Sequence, residues 1–235
     1  MGIINLLLKQ QEVIALTKIY LVRHCEAEGN RLKIFQGSTD CDVSDQGAKQ
    51  LEYLNKRFAS VHIDKVFSSP LKRARKTAEV AVRGKGLSVN ILEGLTEMFG
   101  GILEGKPFAE SFAKYPDLKN SWNNDIQNFA PENGESMREV YARGKKAFWE
   151  LVNDPENKDK TLLVASHGAV LKTLLCHLIF DDVERLSEVP WLDNTAVSLV
   201  TAEDGKVNIE YVGDISHLPE EARPVSVLKL WEKKD

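Results

Sequence analysis

The chain has no excess of positive charge: 31 Lys and Arg stand against 35 Asp and Glu, for a net charge of -4. A field that gathers nucleic acid is therefore absent, and any anion site must be built locally from a few cations. Cysteine is scarce. The three residues, Cys25, Cys41 and Cys176, form no CxxC pair and no disulfide framework, which points to free thiols in a reducing cytoplasm. No apolar run has the length to cross a membrane. The apolar stretch 3–8 lacks a preceding basic segment and a following small-residue cleavage site, and Leu6 and Leu7 stand where a myristoylation signal needs Ser or Thr. No His, Asp, Glu or Cys cluster has metal-ligand spacing. The expectation is a cytoplasmic protein with no metal, no cofactor, no nucleic-acid partner and no membrane partner.

What is present is an ordinary globular composition, 43% hydrophobic and 28% charged over 235 residues. Short apolar runs rich in β-branched residues predict strands at 18–22, 65–67, 89–92 and 162–165. Helical periodicity predicts helices at 45–58, 70–83, 136–152 and 169–179, with Ser136 and Glu139 as a capping box. Strands alternating with helices imply an α/β fold with a mostly parallel central sheet, covered by helices on both faces. The runs 196–201 and 206–212 flank Asp204-Gly205, a pair suited to a tight hairpin, so an antiparallel edge is expected there. Residues 108–133 mix aromatic and polar side chains and predict a helical lid insertion. The whole of 1–235 reads as a single domain, with 1–16 as an extra N-terminal segment.

Three polar clusters follow strands. They are Arg23-His24, Ser68-Ser69-Pro70-Leu71-Lys72-Arg73 and Ser166-His167-Gly168. In an open parallel sheet, ligands bind beyond the carboxyl ends of strands, so the three tips should converge on one pocket. Two arginines there would match phosphate oxygens with planar forks. Ser69 would cap a helix beginning at Pro70, and the amides after His167-Gly168 would favour an anion. Taken singly, a His at a strand end, a Ser-Pro pair or one Arg in a basic run is an ordinary surface or capping feature. Their joint occurrence at matching positions points to phosphoryl chemistry with an imidazole nucleophile.

The segment Leu21-Val22-Arg23-His24-Cys25-Glu26-Ala27-Glu28-Gly29-Asn30 resembles the signature of the histidine phosphatase (phosphoglycerate mutase-like) superfamily. Phe35-Gln36-Gly37 with Asp40, Ser68 to Ala74 with Thr77-Ala78, Leu95-Thr96-Glu97 with Glu104-Gly105, and Ser166-His167-Gly168 are similar to its later motifs, in order, from about 18 to 201. That resemblance implies His24 as nucleophile. It implies Arg23, Arg73 and His167 as the phosphoryl clamp and Glu97 as proton donor. Asn30, Gln36, Gly37 and Gly168 become substrate contacts. His24 must be neutral to attack, and neighbouring arginines should disfavour its protonated form. Two departures stand out: Cys25 replaces the family's usual glycine, and Gly100 its usual aromatic.

The expected activity is hydrolysis of a phosphate monoester of a small metabolite through phosphohistidine. The alternatives are a cofactor-dependent phosphoglycerate mutase and a phospho-ligand binding protein without chemistry. A mutase of this family carries an arginine pair in the insertion, whereas this insertion offers only Lys114 and Lys119, with Lys106 nearby. Retention of His24, Glu97 and His167 argues against a mere binder. Trp122, Trp149, Trp191 and Trp231 read as packing, and Trp122 is the one most suited to a binding role.

Overall fold

The computed structural model describes residues 16–203 and 205–224. The expected N-terminal segment, apart from Leu16, lies outside these residues, as do Asp204 of the expected turn and Trp231. In chain order the elements are β1 (Thr17–Arg23), α1 (Glu28–Arg31), α2 (Asp45–Phe58), β2 (Lys65–Ser68), α3 (Lys72–Ala81) and β3 (Val89–Ile91). There follow α4 (Phe108–Lys114), α5 (Pro116–Asn124), α6 (Met137–Asn153), β4 (Thr161–Ser166), α7 (Gly168–Phe180), β5 (Val197–Glu203) and β6 (Lys206–Asp214). One six-stranded sheet runs in the order β3-β2-β4-β1-β5-β6. The first four strands of that order are parallel, and β5 and β6 pair antiparallel, as the hairpin pattern predicts.

The alternation of side chains along a strand explains why both faces are covered. Ile19 and Leu21 of β1, with Leu162 and Val164 of β4, enter one core with Val170, Leu171 and Leu174 of α7 and Phe148 of α6. Val22, Leu163 and Ala165 point the other way and pack on Leu51, Leu54 and Phe58 of α2 and Ala78 of α3. Fully burying each of the larger side chains is worth ~1.5–3 kcal/mol. A polar substitution at Leu21, for example, would break the first core at its centre.

Local signals set the helix ends. Ser44 Oγ accepts from the Gly47 N–H at 3.0 Å and starts α2 at its expected residue. Ser136 and Glu139 close the predicted capping box before α6. The start of α3 differs from expectation. Pro70 lies outside the helix, which begins at Lys72, and Ser69 does not cap it. The Lys72 amide donates instead to Asp40 Oδ1 at 2.7 Å, a cap supplied by a distant loop. Arg73 nonetheless falls in the first turn. The insertion is helical, with α4, α5 and a 3-10 turn at Ile126–Asn128, and Phe112 and Phe129 are buried in it.

Candidate active site

The carboxyl ends of β1, β2 and β4 lie side by side: Arg23 is in register with Ser166, and Ser68 with Ala165. The three polar clusters therefore meet. A cavity of 700 Å³ opens over them, lined by Arg23, His24, Arg73, Glu97 and Gly168 among others. Asn30, Gln36 and Gly37 line it as well. His167 does not. It is fully buried behind the lining, its ring 5.1 Å from that of His24.

Hydrogen bonds fix the nucleophile candidate. His24 Nδ1 lies 2.6 Å from the Cys25 carbonyl oxygen, which can only accept, so Nδ1 carries the proton and donates. In the neutral ring the Nε2 lone pair is then free for chemistry. Burial, with Arg73 and Arg23 beside it, holds His24 well below its ordinary value of 6.5, against the opposing pull of the Cys25 carbonyl. Burial is the largest cause here, ahead of the arginines that the sequence brings to mind. Asn194 Nδ2 donates to the His24 carbonyl at 2.9 Å, and the Thr195 amide donates to the Arg23 carbonyl at 3.1 Å, so the backbone around the ring is held from the other side.

Each strand tip presents a buried donor without a protein partner among the described residues. Arg73 Nη2 donates to the Gly37 carbonyl at 2.8 Å and Nη1 to the Thr39 carbonyl at 2.9 Å, while Nε is unpartnered. Arg23 Nη1 donates to the Leu192 carbonyl, and its Nε is unpartnered as well. His167 pairs through Nε2 with Ser69 Oγ at 2.7 Å. That hydroxyl also accepts from the Leu71 N–H, so its own hydrogen is available to Nε2. The corresponding tautomer leaves Nδ1–H as a donor with no partner. Burial and the charge of Arg73 also hold His167 well below 6.5. A buried donor left unpaired costs ~1–3 kcal/mol, and three at one locus are chemically suited to meet an anion.

Glu97 reaches the site from the loop after β3. Its Oε1 accepts from the Met98 amide at 2.9 Å and its Oε2 from the Ala169 amide at 3.3 Å. The first turn of α7 thus holds this carboxylate, a use of the helix start that differs from direct anion binding. Ser166 Oγ donates to the Leu95 carbonyl at 2.8 Å and ties the same loop to β4. Asn30 Oδ1 accepts from the Ala27 amide at 3.0 Å, which commits the oxygen and leaves the NH₂ group as a donor.

Glu104 acts through the backbone. Its Oε1 accepts from Thr39 N at 2.5 Å and Oγ1 at 2.6 Å, and its Oε2 from Gly100 N at 2.8 Å. Gly37 has φ 36, and a β-carbon there would collide with that carboxylate. Gly100 is explained by Phe35, whose ring lies 2.5 Å from where its β-carbon would stand. Cys25 is fully buried and its thiol is pushed up to about 12 by desolvation, so it packs as a small apolar residue. Glu135 pairs with Arg143 at 2.6 Å and does not line the cavity.

Several lining residues were not anticipated. Trp191, read as packing, faces the cavity beside Trp122. Asn194 also lines it, brought there because β5 pairs antiparallel with β1 and its leading loop arrives at the same sheet end. Arg31 and Lys33 lie at the lining too. Lys106, the expected extra cation, is not part of it, and its Nζ donates to the Ile102 carbonyl at 2.6 Å.

The sequence model of the histidine phosphatase superfamily (branch 1) matches residues 19–215. Phosphoserine phosphatase 1 of Hydrogenobacter thermophilus is 31% identical over 205 residues, 87% of this chain and 96% of that protein. A probable phosphoglycerate mutase, GpmB, of Erwinia tasmaniensis is 30% identical over 213 residues, 87% of this chain and 96% of its own length. Among solved structures, Bacillus stearothermophilus YhfR is similar with a TM-score of 0.80 at 29% identity, covering 86% of this chain and 98% of that one.

Proposed function

Because the chain belongs to the histidine phosphatase superfamily, branch 1, we propose that it is a phosphatase that hydrolyses a phosphate monoester of a small metabolite through phosphohistidine, without a metal ion. One observation carries this reading. His24 is held neutral with its Nδ1–H on the Cys25 carbonyl, which presents Nε2 beside two buried guanidiniums.

In the first step Nε2 of His24 attacks phosphorus, the N–P bond forms and the ester P–O bond breaks. Glu97 serves as the acid that gives a proton to the leaving oxygen. The unpartnered donors of Arg23, Arg73 and His167, with the Asn30 amide, take the equatorial oxygens, where charge is spread in the transition state. In the second step Glu97 accepts a proton from water, the water oxygen bonds to phosphorus, and His24 regains its free lone pair. Gly37 serves by its carbonyl, which orients Arg73. Gly168 opens α7 at the cavity, where its backbone lies beside the Arg23 guanidinium.

A mutase reading has one observation in its favour. Arg31 and Lys33 at the cavity could meet a second anionic group. Arg31, however, is paired with Glu28 at 2.7 Å, and Lys114 and Lys119 of the insertion do not line the cavity. Hydrolysis is therefore the better-supported outcome.

The test is acid-quenched enzyme exposed to ³²P-labelled monoester in excess EDTA. Acid-labile label on His24 with release of inorganic phosphate is expected, and His24→Ala should abolish both. Label on Ser69 or Cys25, or activity that needs Mg²⁺ or Zn²⁺, would overturn the mechanism. Interconversion of phosphoglycerates primed with the bisphosphate, faster than hydrolysis of every monoester tried, would establish the mutase reading.

A further inference from the structure

The segment 189–195 is fastened to the rest of the site at three places. Val189 gives its carbonyl to Lys172 Nζ, Leu192 gives its carbonyl to Arg23 Nη1, and Asn194 donates to the His24 carbonyl. Trp191 sits between these anchors. Its ring packs 3.5 Å from where a β-carbon on Gly168 would stand, at the start of α7 beside Arg23. It also stacks on Trp122 of α5, with centroids 5.1 Å apart and planes at 20°. Trp122 in turn contacts Phe108 at 5.7 Å and Phe129 at 4.8 Å. The indole therefore joins the phosphoryl end of the cavity to the aromatic insertion.

Behind Trp191 lies a lysine that the phosphoryl chemistry does not use. Lys172 is 3% exposed, and its Nζ stands 5.2 Å from the centroid of the Trp191 ring. Lysine is seldom buried without a carboxylate partner. Among the described residues Lys172 makes no ion pair, and its ammonium is committed to the Val189 carbonyl and the indole face. Desolvation pushes it down to about 8, which still leaves it mostly charged at neutral pH. A cation over an indole is favourable, most of all where water is excluded.

We propose that Trp191 is the specificity-determining wall of the leaving-group side, selecting monoesters of apolar, ring-bearing alcohols, and that Lys172 is the positioning residue that sets its plane. The wall continues through Trp122, Phe108, Pro107, Ile34 and Leu32, all of which line the cavity. Such a surface rewards an apolar alcohol by removing it from water and offers a small polyol little. This inference rests on the phosphatase reading above and narrows its substrate class.

The experiment compares 2-phenylethyl phosphate with glycerol 1-phosphate, two primary alkoxide leaving groups that differ in apolar surface. Wild-type enzyme should favour the phenylethyl ester in kcat/KM. Trp191→Ala should lower that preference about 10–100-fold, chiefly by raising KM for the phenylethyl ester. Lys172→Met should lower it about threefold or more in the same manner and shift the tryptophan emission, and Lys172→Arg should restore part of both. The inference is overturned if Trp191→Ala leaves the preference within twofold. It is overturned equally if Lys172→Met lowers kcat alike on both esters with KM and emission unmoved. Should Lys172→Met fail to fold, Trp191→Phe and Trp191→Ala decide the matter, with a graded loss of preference expected and no loss refuting it. Failure of this inference is separable from failure of the phosphatase reading. An enzyme that forms phosphohistidine and releases phosphate but prefers the glycerol ester refutes only the wall, whereas no phosphate release from any monoester refutes both.

Discussion

Acid should destabilise this fold well before its carboxylates titrate, and the two site histidines set the size of the effect. His24 and His167 are buried and held well below their ordinary value of 6.5. Between the folded and unfolded values of such a group, the unfolded chain binds more protons, so stability rises with pH there. The contribution is full above 6.5 and is lost as pH falls through 6.5 toward the folded values. At about pH 5.5 an unfolded imidazole is mostly protonated, and keeping it neutral in the fold costs roughly 1–2 kcal/mol. The pair should therefore cost about 3 kcal/mol relative to about pH 7.5, a large share of a typical 5–15 kcal/mol stability. His217, held at about 4 by burial and Arg57, adds in the same direction. Carboxylates lowered by hydrogen bonds to Arg, such as Glu52 and Glu188, have ordinary values of 4.5 and act only below this window. Lys172, titrating near 8, has already taken up its proton. Urea midpoints at the two pH values measure the loss, and His24→Asn should remove about half of the site's share. A midpoint that is unchanged or higher at about pH 5.5 would refute the assignment of both rings as neutral in the fold.

Two further substitutions probe the loops around the site. Glu97→Gln should slow hydrolysis of an alkyl phosphate by about 10²–10⁴-fold. Far less should be lost on p-nitrophenyl phosphate, whose leaving group needs little protonation, and equal losses in steady-state assays would reassign Glu97 to positioning. Gly37→Ala forces a side chain into φ 36 and against the Glu104 carboxylate, and it shifts the carbonyl that holds Arg73. It should cost about 1–3 kcal/mol of stability and raise KM for any monoester. A melting temperature and KM both equal to wild type would contradict that account.

Elements with strong local signals were legible in the sequence. α2 begins and ends at its predicted residues because Ser44 caps it and Leu51, Leu54 and Phe58 mark one face. The β5–β6 pairing follows from two alternating runs around a glycine, and Gly205 takes φ 76 in the turn. The start of α3 is not legible in the sequence because its cap comes from Asp40, far away in sequence, while Ser69 is engaged by His167. Ser-Pro before a helix looks like a local start signal, and only tertiary contacts show which amide is served. The polar clusters at three strand tips were readable because parallel strands deliver their carboxyl ends to one edge. The place of Trp191 at the cavity, rather than in packing alone, and that of Asn194 are not legible locally because both precede a strand. Their position could have been inferred from the antiparallel pairing of β5, which sets Val197 opposite Val22 and brings the preceding residues to Arg23 and His24.

The charge arrangement explains why one small region can be both costly to the fold and useful to the reaction. Burial lowers the proton affinity of Arg23 and Arg73, yet neither makes an ion pair among the described residues, and the nearby Glu97 charge offsets the cost only in part. Their hydrogen bonds go to the carbonyls of Gly37, Thr39 and Leu192, neutral acceptors that fix direction without cancelling charge. A carboxylate in those places would stabilise the free protein more and would lower the affinity for an anion by the same interaction. The same two guanidiniums add to the burial that keeps His24 and His167 neutral, so the field that would attract a phosphate dianion also helps to keep the proposed nucleophile unprotonated. On the proposed mechanism, attraction of substrate and the arginines' share in keeping the imidazole neutral have one electrostatic source, so removal of either arginine should weaken both together.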